Sequence, residues 1–545
     1  MRFKFTFPFF TVLILSLLSV ELQAQPGQVI LKPSGAGNDS TRVIQIVKGK
    51  TLRQKFIDSL TTLETIAGDV VIKEGLTTFY CDSATINRRT NIVEAFGNIH
   101  INDNDSVHTY SQYLRYVGAE RIAYLKKNVK LTDNKGVLTT EDLVYNLVTG
   151  IATYKTGGRI TNEKTVLTSD NAQYLSDTKD VYFRNNVHLK DPDRDIWTDS
   201  LLYNVKNNIA TFIAPTRIVG KDGSIINTKN GTYNLKTGEA IFTDRTSFSD
   251  STHSGIADNV AYDKNSGTIQ MRGNAKLVDS ANKVIVIGDE VYLDTKRNSF
   301  LATRKPVMIL YRDGDSTYVA ADTLFSGLRK YDPLERRVIT QQDTLQKTIA
   351  VKATADTSIR YFIGFHHVRI FNDSLQAVSD SLHYTTADST FKLFGAPVVW
   401  NGQSQVTGDT MHLYTKDQKP ERLYVFNNSM VINKANEAMY NQIGGRTLNG
   451  YFKEGNIDYV RVKGSPAESV FYPQNSDSAY IGMNRSSGDV IDIYFVKKEL
   501  NKVKFVNDVN GVLYPLRQTP DDQKKLKNFS WLDNRRPKNK LELFE

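Results

Sequence analysis

The sequence predicts an all-β protein built as an elongated repeat array. Three observations carry that prediction. A short strand signal recurs roughly every 30 residues, or about twice that where a weaker copy intervenes. Apolar and polar residues alternate within it with a period of two, the signature of a strand that buries one face. No long segment follows helical i, i+3, i+4 spacing; Leu52 to Leu63 comes nearest and is the one helix candidate.

The recurring signal is entered through Gly, Asn or Pro. It reads Gly97-Asn98-Ile99-His100-Ile101, Asn128-Val129-Lys130-Leu131, Asn186-Val187-His188-Leu189, Pro215-Thr216-Arg217-Ile218 and Asn274-Ala275-Lys276-Leu277. It returns as Pro306-Val307-Met308-Ile309, His367-Val368-Arg369-Ile370 and Pro397-Val398-Val399-Trp400. Before it lies a second regularity, an acidic residue four positions ahead of a Tyr: Glu141 and Tyr145, Asp170 and Tyr174, Asp199 and Tyr203, Asp258 and Tyr262, Asp380 and Tyr384. A turn rich in Gly and Asn follows, such as Asn146 to Gly150, where positive φ costs these residues little. An alternating run such as Ala210-Thr211-Phe212-Ile213 or Ala240-Ile241-Phe242 completes the unit. Rungs of this kind stack into a continuous apolar interior.

The array divides into a first segment over residues 51–328 and a second over 357–515, separated by a polar stretch at 329–356 that reads as a long loop or boundary. Residues 516–545, with Pro520, Pro537 and many charges, read as an extended tail whose Phe529 to Leu532 pack on the last rung.

The N-terminus carries Arg2 and Lys4, an apolar run from Phe5 to Val20, and Leu22-Gln23-Ala24. That layout predicts a secretory signal peptide over residues 1–24, followed by a linker over 25–50, and hence an exported chain. The single cysteine, Cys81, allows no intramolecular disulfide, so burial and strand pairing must hold the fold. Cys81 sits in a strand-like run and reads as a small buried filler. The formal net charge of +10 favours anionic partners, and an exported location makes nucleic acid the weakest of these.

Catalysis is not expected. Asp142, Asp170, Asp199, Asp258 and Asp380 recur with the repeat, as turn or strand-start residues do. His366 and His367 form the one adjacent His pair, and neighbours on a strand point to opposite faces. Neither a cofactor nor a metal is expected, since nucleophile-elbow, Walker and zinc spacings are missing from the sequence.

Several stretches resemble the OstA-like family of Gram-negative envelope proteins. They are Cys81-Asp82-Ser83-Ala84, Glu94-Ala95-Phe96-Gly97-Asn98-Ile99-His100-Ile101, Tyr113-Leu114-Arg115-Tyr116, Asn128 to Asp133 and Gly157 to Ile160. Asp477-Ser478-Ala479-Tyr480-Ile481-Gly482 and Asn507-Asp508-Val509-Asn510-Gly511 look like its long form. The resemblance spans about residues 55 to 515. It implies a β-jellyroll of two facing antiparallel sheets forming a V-shaped trough, as in the LptA-type bridge protein and the LptD N-terminal domain. It also implies a protein of the periplasm or the periplasmic face of the outer membrane that carries lipopolysaccharide with its acyl chains in the trough. The implied partners are a glycolipid of that kind, other jellyrolls or a second copy end to end, and the outer-membrane translocon.

Sheltering acyl chains from water is worth about 0.8 kcal/mol per CH₂. The residues placed to line such a trough are the apolar members of the repeat: Ile99, Ile101, Val129, Leu131, Val187, Leu189, Phe212, Ile218, Phe242, Leu277, Val307, Ile309, Val368 and Ile370. The rival reading is an exported scaffold or adhesin that binds protein or glycan. It predicts that the same residues fill a closed core.

Overall fold

The computed structural model describes residues 44–544 apart from 59, 134–135, 313–314, 331–357, 417–418, 455 and 497–498. The stretch read as a signal peptide, most of that read as a linker and nearly all of the polar stretch at 329–356 therefore lie outside the described residues. Strand structure starts at Gln45–Lys48, inside the stretch read as linker. The protein is all-β, and every strand pairing among the described residues is antiparallel.

Alternation makes the strands; paired left-handed residues bend them. Asp180–Asp191 and Arg194–Asn204 show the plan. Val181–Arg184 pairs with Tyr203–Ser200, then the register slips, and Val187–Asp191 pairs with Thr198–Arg194. Beyond this hairpin the halves part company: Leu201–Asn204 pairs with Ile209–Phe212, whereas Arg194–Thr198 pairs with Thr216–Gly220. Two ladders result. The first sheet collects the Asn-Val-x-Leu halves and the second collects the Tyr halves.

The break is chemically defined. Gly97 and Asn98 (φ 73° and 40°), Asn185 and Asn186 (62° and 50°), Gly273 and Asn274 (74° and 45°), and His366 and His367 (57° and 49°) all take left-handed conformations. Gly and Asn tolerate this region best. The repeating Asp secures the break. Asp82 accepts from the Asn98 amide at 2.9 Å, Asp170 from Asn186 at 2.7 Å and Asp258 from Asn274 at 2.7 Å. In the second segment Asp380 takes the His366 ring instead, at 2.9 Å. His367 turns to Asp322, so the two histidines serve separate carboxylates.

The helix expectation fails. Leu52 to Leu63 is not helical: Thr51–Phe56 is an edge strand paired with Thr62–Ala67. Its residues are exposed on both faces, so its apolar spacing follows no core.

The tail does not stop at the last rung. It runs back across the outer face of the first sheet through short 3-10 turns. Leu526 packs on Met430, Val470 and Met483, Leu532 on Val378, Val398 and Trp400, and Leu543 on Val307 and Ala320. Two buried glutamines hold its backbone. Gln405 donates to the Ser530 carbonyl (2.7 Å) and accepts from the Leu532 amide (2.8 Å). Gln442 does the same for Lys524 (2.8 Å) and Leu526 (2.8 Å). Each Gln satisfies two backbone groups that burial would otherwise leave unpaired.

Candidate functional site

The space between the two sheets is the site that the sequence points to. Ile99, Ile101, Val129, Leu131, Val187, Leu189, Phe212, Ile218, Phe242, Leu277 and Val368 are buried in one continuous interior cluster, with Ile370 packed against it half-buried. Val307 and Ile309 face the other way. They lie with Ala320 and the tail's Leu543 on the outside of the first sheet, while Met308 and Leu310 point inward. Here the left-handed pair is Arg304 and Lys305 (φ 60° and 57°), so Pro306 takes the first inward position. A shift of one residue exchanges the faces of a strand.

The mouth between the sheets is laced shut along much of the first segment. Tyr116 donates to Glu74, Tyr145 to Asp103 at 3.2 Å, and Tyr174 to Asp133 at 2.6 Å. Asn162 continues the series by donating to Tyr203 at 3.2 Å. At the next rung the Arg194 guanidinium lies 4.3 Å from the Tyr233 ring centroid. Each Tyr comes from the second sheet and each partner from a strand tip of the first. Burial, followed by the facing carboxylates, pushes the Tyr116 and Tyr145 phenols well above their usual range. Burial pushes the Asp133 carboxyl up, but hydrogen bonds from Tyr174 and the Gly136 amide, with the Lys179 ammonium at 3.2 Å, outweigh it and leave it low.

Inside these latches the interior is filled. Val129 and Val187 are 1% exposed, and the surface hollow beside Val129 is bounded by outer-face residues such as Lys130, Thr139 and Arg159. A small cavity of about 10 Å³ sits where Arg360 meets Leu277, Asp279 and Phe300, with room for about one water.

The second segment differs. Met411, Val425, Val462 and Ile491 are sealed as in the first segment, but many other inward apolar side chains are half-buried: Ile370, Val399, Val406, Val431 and Ile443 on the first sheet, and Phe391, Leu423, Ile457 and Phe495 on the second. Only a few first-segment side chains share this state, Ile226, Leu235, Tyr262 and Leu310 among them. Apolar surface is therefore available to a ligand mainly between residues 370 and 505. Apart from Ile370, the sequence-derived candidates miss it, because alternation marks the inward face but not whether the mouth above it closes.

Among the described residues, no group of three or more His, Cys, Asp or Glu is placed to hold a metal ion. No helix among them is long and apolar enough to cross a membrane.

Comparison with known families gives two adjoining matches. Residues 42–199 match the model of an OstA-like protein, and residues 166–299 match that of the LptA/(LptD N-terminal domain) LPS transport protein. Residues 42–299 are OstA-like. A comparison with curated proteins returns no match. The two matches overlap and end at residue 299, and the paired-strand array continues beyond them into the second segment.

Proposed function

We propose that this OstA-like chain is a periplasmic lipopolysaccharide-binding bridge protein that shelters acyl chains between its sheets during outer-membrane assembly. The observation that supports this is the row of half-buried apolar side chains facing each other across the second segment, Val399, Val431 and Ile443 against Leu423 and Ile457. An acyl chain laid there would remove apolar surface from water on both sides at about 25 cal/mol per Å². The latched first segment then acts as a rigid β rod.

Both ends of the array suit end-to-end contact with another jellyroll, a second copy or a translocon. At the N-terminal edge Leu52 and Phe56 are exposed; at the C-terminal edge Val512 and Leu513 are. Unpaired edge strands of this kind template further pairing.

The test is saturable binding of fluorescent lipopolysaccharide to the purified chain. Val431→Asp and Ile443→Asp should abolish it while the circular dichroism spectrum stays β. Leu189→Ala, in the sealed interior, should leave it unchanged. Binding that survives both Asp variants would favour a scaffold that uses its outer surface.

A further inference from the structure

The outer face of the second sheet carries a feature that the interior does not explain. Across six successive strands, directly opposed residues form one unbroken row: Tyr414, Arg422, Tyr451, Tyr459, Tyr494 and Lys502. At the usual strand spacing the row is about 24 Å long. The Tyr451 and Tyr459 rings lie 5.6 Å apart at 25°, and Tyr459 and Tyr494 5.0 Å apart. The Arg422 guanidinium lies 5.8 Å from the Tyr414 ring centroid and 5.7 Å from that of Tyr451.

The row is held rigid from beneath its edge. Asp492, with its side chain 3% exposed, accepts from Arg461 at 2.8 and 2.9 Å and from the Tyr459 hydroxyl at 2.6 Å. That neutralises Arg461. Arg422 instead donates to the neutral Asn449 side chain at 3.0 Å, and among the described residues no carboxylate pairs with it or with Lys502. The surface therefore combines aromatic faces with uncompensated positive charge. On the same sheet of the first segment the equivalent row reads Glu94, Arg115, Tyr124, Val144, Thr153, Gln173, Tyr182 and Leu202; its tyrosines are not neighbours, and its cation, Arg115, stands directly opposite Glu94.

We propose that this face binds an anionic glycan, its sugar rings stacking on the tyrosines and its phosphates or carboxylates meeting Arg422 and Lys502. Charge complementarity argues for the anion and the flat ring array for the sugar. A membrane would call for protruding Trp or Leu side chains, whereas these rings lie side by side and keep their hydroxyls. The site is on the far side of the sheet from the interior and does not depend on the acyl-chain reading.

The experiment titrates the full chain with phosphorylated core oligosaccharide freed of lipid, with the same oligosaccharide dephosphorylated, and with phosphatidylglycerol vesicles. The phosphorylated sugar should bind saturably. Dephosphorylation, Arg422→Gln and Lys502→Gln should each weaken it about tenfold. Lys502 is an exposed edge-strand residue, so its replacement leaves the packing intact even if Arg422→Gln loosens the sheet. Absence of saturable binding, binding that Lys502→Gln does not weaken, or binding of vesicles alone would overturn the proposal.

Discussion

The Tyr174 phenol donates a 2.6 Å hydrogen bond to Asp133, a residue 41 positions earlier on the facing sheet. Tyr145 and Asp103, 42 positions apart, repeat the relationship one rung before. The fold thus ties its two sheets together with polar contacts at the rim of an apolar interior, and the ties belong to the first segment.

These latches predict a pH dependence. The Asp133 carboxyl titrates below its ordinary value in the folded protein. A carboxyl lowered in this way stabilises the fold above its unfolded pKa, about 4, and that contribution is lost as pH falls through the folded value. The thermal midpoint should therefore drop on acidification below about pH 4. In Tyr174→Phe the drop should be shallower, because one of the groups that lowers Asp133 is gone. Melting curves between neutral and acidic pH check this, and equal slopes for the two proteins would contradict it.

The left-handed breaks predict a position-specific glycine requirement. A Cβ on Gly273 would meet the Asp258 carboxylate oxygen at 2.7 Å in a backbone with φ +74°. Gly273→Ala should cost about 1–2 kcal/mol from the left-handed conformation alone. Gly273→Asn should cost less of that conformational term. Denaturant unfolding of the two variants measures the difference.

The tail predicts local, separable unfolding. Gln405→Leu leaves the Ser530 carbonyl and the Leu532 amide without their partner, a loss of about 1–3 kcal/mol. The expected result is faster proteolysis within residues 516–544, with the jellyroll intact and increased binding of an apolar dye to the uncovered Trp400 and Val398 stripe. An unchanged cleavage rate would mean that the glutamine clamp contributes little.

Cys81 should be inert. Burial, then the Asp82 charge, pushes its thiol up to about 12. A thiol reagent at pH 8 should leave it unmodified in the folded protein and react promptly in denaturant.

Much of this architecture is legible in the sequence, and the gaps have physical causes. Asn-Val-x-Leu shows the inward face at Val129 and Val187 because strand alternation is strict. The same reading places Val307 on the wrong face because Pro306 takes an inward position that Asn does not take in other copies. The Asp-to-Tyr spacing of four is visible as a pattern, but its two members serve different ends. Asp170 secures the Asn186 break in its own sheet, whereas Tyr174 reaches Asp133 on the facing one. A contact across 41 residues leaves no local trace. Leu526, Leu532 and Leu543 follow no period in a charged tail, so their path across the first sheet emerges only from the glutamines that hold it. The split between a sealed and a half-open interior depends on what lies above the apolar residues, which alternation does not encode.

The central claim is that acyl chains lie between the sheets of the second segment. Site-specific photo-crosslinking in cells tests it most directly, with the photoreactive residue at Val399 or Val431 and, for comparison, at the sealed Leu189. The account predicts lipopolysaccharide adducts from the first two positions and none from Leu189. Adducts absent from Val399 and Val431, or equally strong from Tyr80 on the outer surface, would contradict it.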